Sequence, residues 1–199
     1  MRLVIERSEL MRALGHVTSV VERRTTIPIL SNVLLKAVGT SLELKATDLE
    51  REVVEAVSAD IQQPGAITVP AHMLNDIVRK LPEGSEVEIV RDAERERLTI
   101  RAGQSRFALQ TIAADDFPDL AAGEMSHTFE VPAAELKSLI EKTRFAISTE
   151  ETRYYLNGML LVFEPGFVRS VATDGHRMAH CAAVVEGVAE RQDVIVPRK

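Results

Sequence analysis

Apolar and polar positions alternate from Arg2 to Glu6, placing Leu3 and Ile5 on one side of a half-buried strand. Ser8 then reads as an N-cap with Glu9 in the first turn, and Leu10, Leu14, Val17 and Val21, reinforced by Met11, recur at helical spacing. This stripe leaves Arg12 and His16 on the wet face. Arg23-Arg24-Thr25-Thr26 breaks the pattern, and Pro28 fixes an extended entry to a strand over 29–37. Segments 41–47, through Leu42 and Leu44, and 51–59, through Val53 and Val57, alternate in turn and predict an antiparallel meander. A strand over 66–69 leads into a second helix at Pro70-Ala71 with Met73, Leu74, Ile77, Val78 and Leu81 inward. Pro82-Glu83-Gly84 ends it. Short strands follow at 86–91, 97–101 and 105–111, with Asp92-Ala93 and Gly103 in the turns. Residues 115–123 are polar and unpatterned, and read as a linker.

After the linker the pattern starts again. Strand, helix (132–147, stripe Leu136, Leu139, Ile140), meander and a strand at 194–196 repeat the opening order. At a shift of 126 residues, Leu156, Leu160, Leu161, Ala172, Thr173, Asp174 and Arg177 fall on Leu30, Leu34, Leu35, Ala46, Thr47, Asp48 and Arg51 without a gap. One inserted residue later, Val194, Val196 and Pro197 fall on Ile67, Val69 and Pro70. Solenoid repeats run to roughly 20–50 residues, so a period this long implies duplicated domains. The expected boundaries are 1–125 and 126–199. Lys199 corresponds to His72, so the second copy is expected to lack its second helix and last strands, and the chain to be a fragment of a longer protein.

Composition sharpens this picture only slightly. With 45% apolar residues among 199, the chain can bury a real core. No apolar run approaches the ~18 residues of a membrane helix. The lone Cys181 excludes an internal disulfide and a thiolate cage, suits a reducing compartment, and reads as core filler. A cytoplasmic location with no membrane partner is expected. The net charge of −6 argues against a simple nucleic-acid coat, yet the stretches 8–24, 71–81 and 134–144 each net +1, so the helices are the basic face and the strands the acidic one. Ordinary solvated helices would show as much.

Ile27-Pro28-Ile29-Leu30-Ser31-Asn32, Ala46-Thr47-Asp48-Leu49-Glu50, Arg153 to Met159 and Ala172 to Met178 together resemble the bacterial DNA polymerase III β sliding-clamp family, over the whole of Met1 to Lys199. The resemblance implies an α+β DNA clamp fold: duplicated domains, each with two helices packed on antiparallel sheets. It further implies a ring in which three such domains per chain pair head to tail with a second chain. Helices line the hole, sheets form the rim, and duplex DNA passes through unread. The implied function is that of a non-enzymatic processivity factor of the replicative polymerase, with no cofactor or metal. Clamping of this kind is topological and needs only non-specific phosphate contacts, so net acidity is no objection.

The family's pocket for short linear motifs of the polymerase, the clamp loader and repair proteins maps onto Leu156, Thr173, Gly175, His176, Arg177 and Met178. Leu and Met offer an adaptable floor, Gly a close backbone approach, and Arg and His rim donors. Leu49-Glu50 stands where Gly175-His176 does, so only the second copy is expected to bind peptide. The pocket's other wall lies beyond Lys199 in the family, so the isolated chain is expected to bind weakly. Arg24, Arg153, Tyr154 and Tyr155 resemble DNA-contacting loop residues, and strand alternation would turn one Tyr inward. Ile77, Phe107 and Leu109 resemble the interface of the homodimer, on an edge strand that needs a partner. Their alternative roles are core packing.

Asp174 and His176 could instead suggest a hydrolase. The turn offers no nucleophile beside an oriented base, and Asp48 repeats Asp174 without the His, which points to a structural turn capped by a carboxylate. A stand-alone interaction module would keep the pocket and drop the ring.

Overall fold

The computed structural model describes residues 1–22, 25–92, 95–120, 128, 130–150 and 152–198. The chain divides into two compact units, Met1–Ala121 and Ala122–Lys199.

In the first unit, strand β1 (Arg2–Glu6) runs into helix α1 (Arg7–Val17). Ser8 does not cap it; its hydroxyl donates to Glu6 Oε1 at 2.7 Å, and the helix begins two residues earlier than the Ser-cap pattern predicts. Leu10, Ala13, Leu14 and Val17 form the buried stripe, and Val21 is buried beyond the helix end. Instead of a continuous strand over 29–37, a 3-10 turn (Pro28–Ser31) precedes β2 (Asn32–Val38). The fixed φ of Pro28 suits the first position of that turn. Then come β3 (Ser41–Thr47), β4 (Glu52–Ser58), β5 (Asp60–Gln63), β6 (Gly65–Pro70), α2 (Ala71–Lys80), β7 (Glu86–Asp92), β8 (Arg97–Ala102) and β9 (Ser105–Gln110).

Two antiparallel sheets result, ordered β4-β3-β2-β6 and β5-β1-β7-β8-β9. A single core of Leu, Ile, Val and Ala side chains joins them to both helices. Its largest fully buried members include Leu3, Leu14, Leu35, Leu44, Leu74, Ile89 and Ile100.

The second unit repeats the first of these sheets. Helix α3 (Ala133–Thr143) corresponds end to end with α1, and β10 (Gly158–Glu164), β11 (Gly166–Thr173), β12 (Met178–Val185) and β13 (Gln192–Pro197) form a sheet ordered β12-β11-β10-β13. Its register matches pair for pair. Leu34 faces Lys45 and Leu160 faces Val171; Leu44 faces Glu55 and Ser170 faces Cys181; Leu35 faces Ile67 and Leu161 faces Val194.

The expected opening strand of the second copy is absent among the described residues. Residues 128 and 130–132 carry no strand, and neither do 186–191, which match β5. In the first unit β1 lies between β5 and β7 and takes backbone hydrogen bonds from both; the second unit has no counterpart of β7 among the described residues. Helix α3 ends at Thr143, followed by a 3-10 turn (Arg144–Ala146), rather than continuing to Ile147. No helix among the described residues is long and apolar enough to cross a membrane. Cys181 is half-buried against the second core.

Candidate peptide-binding site and nucleic-acid interface

The predicted pocket residues gather around the turn between β11 and β12. Thr173 Oγ1 accepts from the Gly175 N–H (3.1 Å) and donates to the Arg177 carbonyl (2.7 Å). Asp174 Oδ1 accepts from the N–H groups of His176 (3.0 Å) and Arg177 (2.9 Å), and Arg177 Nε donates to Asp174 Oδ2 at 2.9 Å. Backbone donors from Arg177 and His176 hold the Asp174 carboxyl at a pKa of about 2. That carboxylate is therefore the cap of a turn, not an available general base.

The positive φ of 88° at Gly175 is natural for glycine. A Cβ there would sit 3.1 Å from Arg153 Nη1, so the loop preceding β10 leans its guanidinium over the turn. That loop is a 3-10 turn (Tyr154–Leu156), with the Leu156 carbonyl accepting from the Ser148 N–H at 3.0 Å. His176, Arg177 and Met178 are exposed beside it, and Leu156 is half-buried.

The first unit builds the same turn with different side chains. Thr47, Asp48 and Arg51 reproduce every one of these bonds, with Asp48 Oδ1 accepting from Glu50 N–H (3.1 Å) and Arg51 N–H (2.8 Å). Burial opposes ionisation of Asp48, but its hydrogen bonds from Arg51 and Glu50 outweigh it and lower the pKa. Here the left-handed position is Leu49, at φ 74°. Glu22, Thr25, Ile27, Leu30, Leu49 and Glu50 line a cavity of about 280 Å³ at this turn, which sequence reasoning missed.

Tyr154 and Tyr155 meet edge to face, 5.6 Å between centroids, and are 80% and 56% exposed. Strand alternation would have buried one of them. They lie instead on a 3-10 turn, where period-2 reasoning does not apply. Arg153 is exposed and paired with Glu150 at 3.5 Å. Arg24 lies outside the described residues.

Of the three proposed interface residues, two are accessible. Ile77 lines an open groove of about 420 Å³ with Met73, Asp76 and Lys80 of α2 and with Phe107 of the terminal strand β9. Leu109, opposite Leu98, is only 3% exposed and packs into the core, whereas Phe107 on the same strand face, opposite Ile100, is 36% exposed.

Residues 1–121 match the family model described as DNA polymerase III beta subunit, N-terminal domain, and 130–199 match the central domain of the same subunit. The chain belongs to the DNA polymerase III beta subunit family. It is 53% identical over 204 residues to the beta sliding clamp of Caulobacter vibrioides and 44% identical over 200 residues to that of Escherichia coli K12. All of this chain is covered in both alignments, against 55% and 54% of the relatives, so the chain spans about half the length of the curated relatives it matches. Among solved structures, a beta sliding clamp from Caulobacter crescentus superposes with a TM-score of 0.95 at 52% identity, covering all of this chain and 54% of that one. A Pseudomonas aeruginosa clamp bound to griselimycin gives 0.92 at 45%, again covering all of this chain and 54% of that one.

The family's consecutive domains thus fall on the two units. The stretch read as a linker belongs largely to the first of them. Within it Phe117 is buried and Lys45 Nζ reaches Asp119 at 2.7 Å, and just ahead of it Ile112 bridges Thr68 through both backbone bonds (3.1 and 3.2 Å). A single Phe in a polar run gives no periodic signal, so sequence alone could not find this strap.

Proposed function

We propose that this chain supplies the first domain (1–125) and part of the second (126–199) of a ring-shaped sliding clamp that encircles duplex DNA and confers processivity on a replicative polymerase. The observation that carries the reading is the repeated unit: one sheet in one register, backed by one helix in one place, used twice in succession. A ring of such units holds its template by enclosure and needs no chemistry. Arg24, Arg153, Tyr154 and Tyr155 would meet DNA through phosphate contacts and stacking. Ile77 and Phe107, with the open edge of β9, would join a second copy head to tail in the cytoplasm. The turn at Gly175 would receive short linear motifs of the polymerase, the clamp loader and repair proteins.

The first unit also indicates what would complete the second. Helix α2 packs on α1, β2 and β6 and buries Leu14, Val21, Val33 and Val69. Their counterparts Ile140, Ile147, Met159 and Val196 line a groove of about 570 Å³. We assign that groove to a helix equivalent to α2, supplied by sequence that follows in the full-length protein.

The test is retention of the full-length protein on circular, nicked plasmid after loading. The expected result is a complex that survives high salt on the circle and is lost when the plasmid is linearised. Release at the same rate from circle and linear DNA would overturn the reading.

A further inference from the structure

The two copies of the turn differ in how they hold their arginine. In the first, Arg51 Nε and Nη2 both donate to Asp48 Oδ2. In the second, Nε of Arg177 donates to Asp174 Oδ2, and the Nη2 bond has no counterpart among the hydrogen bonds of the described residues. The Arg177 guanidinium carbon instead lies 5.6 Å from the centroid of the Phe145 ring, within cation–π range. The position matching Phe145 in the first unit is Ser19, whose hydroxyl donates to the His16 carbonyl at 2.6 Å and which offers no ring.

Phe145 is 58% exposed. Phe145 itself lines the apolar groove assigned above to a covering helix, at its Arg144 end, but the repeat argues that such a helix leaves this position open: Ser19 remains exposed although α2 is in place. The Phe145 position is thus at the surface in the completed unit as well. Arg177 is more exposed than Arg51, with side chains 59% and 36% accessible.

We propose that Phe145 is a positioning residue of the peptide site: its face turns the Arg177 guanidinium out of full pairing with Asp174 and presents the terminal N–H groups to a carbonyl or carboxylate of the bound peptide. This rests on the peptide-binding reading of the turn. Phe145 acts through Arg177, and a guanidinium already oriented loses less rotamer freedom when the ligand arrives.

The experiment measures affinity of a consensus clamp-binding peptide for the full-length protein by calorimetry, together with NMR of the Arg177 side chain. Phe145→Leu keeps the apolar volume and removes the ring; affinity is expected to fall about two- to fivefold, as an exposed cation–π contact allows, and the Arg177 Nε–H signal to lose its ring-current shift. Phe145→Trp should restore both. Unchanged affinity in Phe145→Leu, or a Phe145→Trp variant as weak as Phe145→Leu, overturns the proposal while leaving the pocket intact. Arg177→Ala separates the two levels: if it too leaves affinity unchanged, the pocket reading falls, and the role of Phe145 with it.

Discussion

Units one and two share a sheet, a register and a turn, yet they differ sharply in how well they cover their apolar surface. Leu14 on α1 is fully buried, whereas its counterpart Ile140 on α3 is 37% exposed. Ile67 and Val69 on β6 are buried under α2, whereas Val194 and Val196 on β13 are open. The backbone of the four-stranded sheet therefore needs neither the second helix nor the second sheet to hold its register. The five-stranded sheet is less tolerant: β1 forms where β5 and β7 flank it, and its repeat carries no strand among the described residues, which hold no counterpart of β7. Edges can be left bare, but a central strand cannot be made without neighbours.

The largest test of this comparison is a matched pair of truncations. Leu14→Ala should cost about 2–5 kcal/mol, because it opens a cavity in a closed core. Ile140→Ala should cost about 1 kcal/mol or less in this chain, because its side chain already meets water. Native-state hydrogen exchange resolves the two units separately, and equal losses would mean that the groove over α3 is closed in solution.

A smaller effect lies in the paired turns. A non-glycine residue in the left-handed region is disfavoured by ~1–2 kcal/mol, less the extra unfolded-state freedom of glycine. Leu49→Gly should accordingly stabilise the first unit by up to about 1 kcal/mol, and Gly175→Leu should destabilise the second by a similar amount. Denaturant midpoints report both. If Leu49→Gly destabilises, the Leu49 side chain contributes more at its cavity than its backbone costs.

The smallest effect is electrostatic. Asp174 has its pKa lowered from 3.8 to about 2. A carboxyl depressed in the folded state contributes stability that is fully present above its unfolded pKa and is lost as pH falls through the folded value. The second turn should therefore hold at pH 5 and loosen between about pH 4 and 2. Carboxyl NMR titration should place the Asp174 midpoint near 2; a midpoint near 4 would mean that the His176 and Arg177 N–H bonds do not persist in solution.

Much of this fold was legible because its signals are local. Alternation over 41–47 and 51–59 gave the meander, and Thr-Asp-x-x-Arg gave the turn twice, since its donors and acceptors lie within four residues. β5 was not legible, because Asp60-Ile61-Gln62-Gln63 offers one apolar side chain on an edge. The inward placement expected for one Tyr failed because the pair sits on a 3-10 turn, and the core packing that alternation allowed for Phe107 or Leu109 falls on Leu109. Phe145 over Arg177, and the cavity beside Leu49, depend on residues distant in sequence, which no pattern of spacing encodes.

The single additional residue that separates the repeats at their last strand has a consequence for how such a molecule can diverge. Ser58 and Val184 hold equivalent places in the two sheets, opposite Ser41 and Phe167; residues 59–64 then lead to β6 and 185–191 to β13, six against seven, so the change in length is absorbed at that joint. Within a strand, the same insertion would have exchanged core and solvent faces for every residue downstream. Duplicated genes of this shape are free to drift in length only at such joints, and the pairing of the sheet preserves a record of their common origin after most side chains have changed.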